Sequence, residues 1–358
     1  MRITRREFGA VGCGTALFLV VPGSAIAASS GGEPVTVPVS TIDPVSLVNP
    51  ELLPAIRPFI AAMAKDPGQV RGLAYYRDSP APANWTFDPS PAVVERMIAG
   101  LPRQPDVRVF VVGAAPGKTK PAMLHIHGGG FVSGHAGGAA PNMQEVVTQF
   151  GCVAITVDYW LAPETPFPGS LNDNCAALLW LHRNAPELGV DRDRIILAGE
   201  SAGAGHAAML AIAARDRGEV PLRAQILTYP MLDDRTGSSR PVPPYIGAFI
   251  WQPEDNRFGW SSLLGQPAGS ETVPSGSVPA RVTDLRELPA TFIGVGSINL
   301  FAEEGVEYAR QLVDAIVSTE LHLAPGAVHG FDSFAPRAEV STVFRAARDG
   351  AIRRAFSA

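Results

Sequence analysis

Residues 194–206 read Arg194-Ile195-Ile196-Leu197-Ala198-Gly199-Glu200-Ser201-Ala202-Gly203-Ala204-Gly205-His206, and the centre of this stretch fits G-x-S-x-G. Arg194–Ala198 predicts a short buried strand, and Ala202–Arg215, rich in alanine, predicts a helix. A serine between them sits on a sharp strand-to-helix turn, where flanking glycines leave room for a strained backbone. Such a turn lifts the Ser201 hydroxyl above the sheet, and the start of the helix favours negative charge nearby. An ordinary serine in a Gly-rich turn would need neither flanking element. Ser201 is therefore the candidate nucleophile.

Outward from this turn, Val107–Val112, Met123–His127, Cys152–Val157, Ala224–Thr228, Thr291–Val295 and Glu320–Leu323 read as strands, and Asn172–Asn184 and Glu303–Val317 as helices. Alternating strands and helices predict an α/β fold, with a mostly parallel central sheet covered by helices on both faces. From Ser29 to about Pro105 no strong strand is visible, only helical patches at Pro54–Ala64 and Pro91–Ala99. This segment and the stretch around 232–281 break the alternation. Both are expected to cap the carboxyl ends of the strands, where such sheets bind ligands. The expected plan is a cap segment over 29–105, then one catalytic domain over 106–358 carrying a cap insertion around 232–281.

With 46% hydrophobic and 18% charged residues, the 358-residue chain suits one well-buried core. A net charge of −5 with no basic block argues against nucleic acid as a partner. The first 28 residues read as an export signal. Thr4-Arg5-Arg6-Glu7-Phe8 resembles a twin-arginine motif, and Ala25-Ile26-Ala27 is a small-x-small cleavage site before Ala28. The apolar run between them, Val11 to Val21, is shorter than the roughly 20 residues a spanning helix needs. A periplasmic or extracellular protein with no stable membrane anchor after cleavage is expected. Cys152 and Cys175 lie in apolar segments and read as buried free thiols. No histidine pair has zinc-site spacing together with a carboxylate, so neither metal nor cofactor is expected.

His127-Gly128-Gly129-Gly130-Phe131 follows the strand that ends near Ile126. Successive glycines let backbone N–H groups turn toward a substrate oxygen that side chains would otherwise block. Each such donor is worth about 2.7–4 kcal/mol in other enzymes. The N–H groups of Gly128 and Gly129, with that of Ala202 beyond the nucleophile, form the candidate oxyanion hole. Among seven histidines, His329 follows the last predicted strand and the loop Ala324–Val328, at the same sheet edge as Ser201. It is the candidate base. His125 lies within a strand, His206 reads as a packed residue on the helix, and His182 and His322 fit surface or core positions. His135 sits in a glycine-rich loop near the expected pocket.

These motifs, together with Asp158-Tyr159-Trp160-Leu161-Ala162-Pro163-Glu164, Phe167-Pro168, Tyr229-Pro230-Met231-Leu232-Asp233-Asp234-Arg235 and His329-Gly330-Phe331, resemble the bacterial hormone-sensitive lipase family of carboxylesterases, the α/β-hydrolase fold-3 group. The similarity runs from about residue 75 to the end of the chain, with Trp160 where the family usually has Arg. The resemblance implies a structural hydrogen-bonding role for His127 and hydrolysis of esters with short to medium acyl chains through acylation of Ser201. It leaves a small-molecule ester as the partner, with a homodimer as the self-association considered. Pro54–Ala64, Trp85, Phe131, Trp160 and Phe249 to Trp251 are candidates to line the acyl or alcohol pocket.

One catalytic position also departs from the family. Its catalytic acid lies in a segment like D-x-L-x-D-E-G, about 30 residues before the histidine; in this chain that segment is Asn299-Leu300-Phe301-Ala302-Glu303-Glu304-Gly305, so Asn299 fills the acid slot. An amide carries no charge to stabilise an imidazolium, and it can donate to the histidine and hold the wrong tautomer. Three readings stay open: an acid removed by engineering, a natural enzyme with a substitute carboxylate, or a ligand-binding homologue that has largely given up catalysis. Asp233 or Asp234 is the first candidate substitute and Glu303 the second, while Asp332 is expected to point away.

Overall fold

The computed structural model describes residues 42–65, 71–78 and 85–357. The export signal read at 1–28 lies outside them. Eight strands form one sheet: β1 (Val93–Ile98), β2 (Val107–Val112), β3 (Lys120–Ile126), β4 (Val153–Asp158), β5 (Val190–Glu200), β6 (Ala224–Thr228), β7 (Ala290–Gly296) and β8 (Thr319–Ala324). Their order is β1-β2-β4-β3-β5-β6-β7-β8. β1 pairs with β2 and β2 with β4 in antiparallel register, and all later neighbours are parallel. The helices are α1 (Leu53–Lys65), α2 (Leu73–Tyr76), α3 (Ala136–Phe150), α4 (Gly169–Arg183), α5 (Ala185–Leu188), α6 (Ala202–Arg217), α7 (Pro253–Leu264), α8 (Ala302–Asp314), α9 (Phe331–Phe334) and α10 (Glu339–Ser357).

The central strand β5 shows why the sheet is covered on both sides. Alternate residues of a strand point to opposite faces. Ile195 and Leu197 join one core with α4, α6 and α8, through Leu178, Leu210 and Leu312. Ile196 and Ala198 join a second core with α3 and α10, through Met143, Val147, Ile352 and Phe356. With both faces dry, Ile195–Ala198 reads as an unbroken apolar run, which made this half of the strand legible in the sequence, while Asp191, Arg192 and Asp193 hid its start.

β1 corrects the helix expected at Pro91–Ala99 and the absence of strands expected before Pro105. Val93, Val94, Met97 and Ile98 have helix-like spacing, but only Ile98 is fully buried in this edge strand. Its outer residues Glu95, Arg96 and Met97 face water, so no apolar alternation marks it, and pairing with β2 overrides local preference. The end of the 29–105 segment thus belongs to the sheet rather than to a cap. The sequence also left α3 and α10 unread; α3 contains Gly137, Gly138 and Pro141, all poor helix residues.

The two segments expected to cap the strand ends pack on one another. From α2, Tyr76 donates to Asp255 of α7 at 2.6 Å and stacks on Phe258 with ring centres 5.5 Å apart. Arg71 pairs with the same carboxylate at 3.2 Å. Cys152 and Cys175 are free and buried.

Candidate active site

Ser201 sits between β5 and α6 with φ 56° and ψ −121°, a left-handed conformation that L-residues rarely adopt. Strain of this kind costs on the order of 1–3 kcal/mol and persists only where surrounding structure enforces it. Three backbone bonds do so. The Ser201 N–H donates to Thr228 O at 2.9 Å, and its carbonyl accepts from Gly205 and Met231 N–H, each at 3.1 Å. Small neighbours are obligatory: a Cβ on Gly203 would lie 2.0 Å from Ile126 O, and one on Gly205 2.2 Å from Met231 O. Gly205 lies outside the G-x-S-x-G pattern, and its requirement comes from a chain crossing remote in sequence.

The glycine loop leans on this turn. A Cβ on Gly128 would meet Glu200 O at 2.9 Å and the Ser201 Cβ at 3.5 Å. Gly129 has φ +122° and Gly130 φ +61°, and a Cβ on Gly130 would strike the Trp251 ring at 2.1 Å. The loop is braced from within by Val132 and Ser133 N–H, which donate to Gly129 O at 3.1 and 3.0 Å. His127 donates from Nδ1 to Gly128 O at 2.8 Å, stacks on Tyr159 at 4.3 Å, and has its carbonyl held by the Tyr159 hydroxyl at 3.0 Å. Burial pushes the His127 imidazole down to about 4, so it serves as a neutral brace. The N–H groups of Gly128, Gly129 and Ala202 take no acceptor among the described residues, which leaves them unengaged next to the Ser201 turn.

His329 follows β8 and precedes α9, half-buried. Tyr229 lies edge-on to its ring at 4.8 Å, and Phe301 meets it at 5.3 Å. Tyr229 also ties this ring to the nucleophile, because its neighbours Thr228 and Met231 make the backbone bonds to Ser201. Tyr229 has φ +37°, a strained turn at the end of β6 that no local sequence signal announces. Desolvation in this packing lowers the His329 pKa from the ordinary 6.5 to about 3.

Asn299, 1% exposed, reaches His329 as its position implied: Nδ2 lies 3.1 Å from Nδ1 of the ring. The orientation of the amide is set by its other end, since Oδ1 accepts the Phe301 N–H at 3.0 Å. A flipped amide would aim N–H at N–H there. Nδ2 is thus the donor, Nδ1 the acceptor, and the neutral ring carries its proton on Nε2.

None of the candidate substitute acids engages His329. Asp233 accepts from Arg235 at 2.8 and 2.9 Å and lies 3.3 Å from Arg240. Asp234 accepts from the Gly269 N–H at 2.8 Å and pairs with Arg281 at 2.7 Å. Glu303 lines an open cavity of about 970 Å³ with Arg235, Arg240 and Arg281. Asp332 is buried with Arg348 3.9 Å away. None of the four is hydrogen-bonded to His329, whose one side-chain partner among the described residues is Asn299. Glu304 holds Leu232 N–H at 2.7 Å and the Thr236 hydroxyl; burial pushes its carboxyl up to about 8, and it anchors α8 to the chain after β6.

Of the other histidines, His125 bridges Thr156 and Glu200 at 3.0 and 2.9 Å, and His206 is fully buried against Ser170 at 2.8 Å. His135 packs against Trp85 at 4.7 Å. Phe131, expected in the pocket, is instead core: it is 1% exposed and wedged between His206 and Trp260. Among the described residues no group of three or more His, Cys, Asp or Glu side chains is placed to hold a metal ion.

A strained serine carried from a parallel strand into a helix, faced by free loop amides at the carboxyl edge of the sheet, is the signature of the α/β-hydrolase class. The chain belongs to that family, whose model, described as alpha/beta hydrolase fold, matches residues 123–333. It is similar to the esterase LipI of Mycobacterium tuberculosis, 29% identical over 301 residues that cover 83% of this chain and 91% of that protein. The carboxylesterase NlhH of the same organism is 34% identical over 220 residues, covering 60% of this chain and 67% of the relative. Among solved structures, a bacterial heroin esterase superposes with a TM-score of 0.72 at 33% identity, over 87% of this chain and 98% of the other. Within the α/β-hydrolases this is the hormone-sensitive lipase group, and the chain is an ester-hydrolysing enzyme of it.

Proposed function

We propose that the protein hydrolyses carboxylic esters with short to medium acyl chains through Ser201 and His329, at a rate held down by Asn299. The carrying observation is the enforced strain at Ser201 beneath three unengaged backbone donors. In acylation, which draws on the minor ring tautomer with its proton on Nδ1 and the Nε2 lone pair free, the Ser201 oxygen attacks the ester carbon, its proton passes to Nε2 of His329, and the same proton leaves with the alcohol. Water then attacks the acyl-enzyme by the reverse path and releases the carboxylic acid. The amides of Gly128, Gly129 and Ala202 hold the oxygen that becomes negative in each half. An organophosphonate is expected to label Ser201 in the native protein even where turnover is slow. Intact-mass and peptide analysis showing another serine labelled, or none, would overturn the assignment.

In the same reading, 232–281 acts as a cap, with Trp251 over Gly130. The twin-arginine motif and Ala25-Ile26-Ala27 support export with a mature start near Ala28. N-terminal sequencing of protein from the native host should find that start outside the cytoplasm; soluble cytoplasmic protein retaining Met1 would exclude it.

A further inference from the structure

Donors outnumber acceptors in this site. Asn299 spends its only acceptor on Phe301 N–H and turns its amide N–H groups to His329 Nδ1. The remaining ring nitrogen of His329 is therefore an N–H donor. Gly128, Gly129 and Ala202 contribute free backbone N–H groups, and Ser201 adds a hydroxyl. Glu200, the carboxylate next to the nucleophile in the chain, is spent on His125 at 2.9 Å, and Asp233 and Asp234 on their arginines. An ester offers this array one carbonyl oxygen of modest basicity. A carboxylate offers two charged oxygens, each able to accept from more than one donor, in hydrogen bonds about twice as strong as neutral ones.

We infer that the site is a receptor for short-chain carboxylate anions, and that Asn299 is the residue that makes it one. The inference rests on the Ser201–His329 reading and adds its ligand class. An aspartate at 299 would reverse two features at once. It would take the proton onto Nδ1, leaving the Nε2 lone pair facing the ligand, and it would add a negative charge behind the ring. Both repel a carboxylate and both assist hydrolysis. The amide thus trades turnover for retention of the acid that ester cleavage releases, whether that acid is formed in place or arrives from solution.

The test is calorimetric titration of the native protein and of Asn299→Asp with butyrate and with butyramide, its neutral isostere, so that binding is read without turnover. Native protein is expected to bind butyrate at least about tenfold more tightly than butyramide, and Asn299→Asp to lose about tenfold or more for butyrate with butyramide changed less than about twofold. Nitrogen NMR of the His329 ring should show the proton on Nε2 in the native protein and on Nδ1 in the variant. Equal affinity for the two ligands, unchanged butyrate affinity in Asn299→Asp, or a native ring protonated at Nδ1 would each overturn the inference. Phosphonate labelling of the same samples separates the two readings: a labelled Ser201 with no preference for butyrate removes only the receptor, and an unlabelled Ser201 removes the nucleophile.

Discussion

Replacing Asn299 by Asp is expected to raise kcat by about two to four powers of ten, with little change in KM. The geometry is already that of a carboxylate. One oxygen can keep the Phe301 N–H at 3.0 Å, and the other takes the place of Nδ2, 3.1 Å from the ring. His329 then donates from Nδ1, its Nε2 lone pair opens toward Ser201, and the imidazolium formed in the transition state gains a buried counter-charge. The reverse change in a serine protease lowers kcat about 10⁴-fold, or about 5.5 kcal/mol at 1.36 kcal/mol per tenfold. Because the new charge acts when the proton moves, ground-state binding of an ester should hardly respond. Asp233→Asn and Asp234→Asn serve as comparisons. Their carboxylates neutralise Arg235, Arg240 and Arg281, so their loss should lower the melting temperature while kcat per folded molecule stays within about threefold. Steady-state kinetics of the three variants on one short-chain p-nitrophenyl ester decides the matter. An unchanged kcat in Asn299→Asp would rule out the amide as the cause of slow turnover.

Two glycine-to-alanine changes should move stability in opposite directions. At Gly203 the new methyl would sit 2.0 Å from Ile126 O and 2.5 Å from His127 O, both backbone atoms of the strand and loop that carry the oxyanion hole. No side chain can rotate away, so β3 and α6 must separate. A cost of about 3 kcal/mol or more is expected, at the upper end for overpacking, with a melting point lower by about 5–10 °C. The displaced Gly128 should also cost activity beyond the loss of folded protein. At Gly305, inside α8, the nearest atom to the added methyl is Val295 Cγ1 at 3.4 Å, ordinary contact. There Gly305→Ala should be neutral or stabilise by up to about 1 kcal/mol through reduced backbone entropy in the unfolded chain. Thermal melts of the pair check both, and a harmless Gly203→Ala would mean that the strand-to-helix turn is looser than its contacts imply.

Much of the molecule was legible in the residues alone. The buried apolar end of β5, Ile195–Ala198, and the fully buried β6 were read in place, whereas the charged first half of β5 was not. The helix after Ser201 announced itself by its small residues, and motif order placed Ser201, His329 and Asn299 on one sheet edge. Features lacking a local signature were missed or misread. β1 is an edge strand with a wet face and helix-like spacing, and α3 folds despite two glycines and a proline. Phe131 follows the oxyanion glycines in sequence, yet its φ of +70° turns the ring into the core.

The third member of the site divides along the same line. That an amide stands where the family resemblance implies an acid was read from sequence, from one letter and its distance to His329. Which way the amide faces is decided by the N–H of Phe301, a backbone group whose position exists only once the turn after β7 has formed. Which carboxylates could replace it is decided by where the arginines fall. Asp233 and Asp234 stand near the end of a strand beside the site, but Arg235, Arg240 and Arg281 come from the surrounding loops to claim them. A sequence specifies residue types and local periodicity. Hydrogen-bond direction and charge pairing depend on groups brought together from distant parts of the chain, and only the assembled structure sets them.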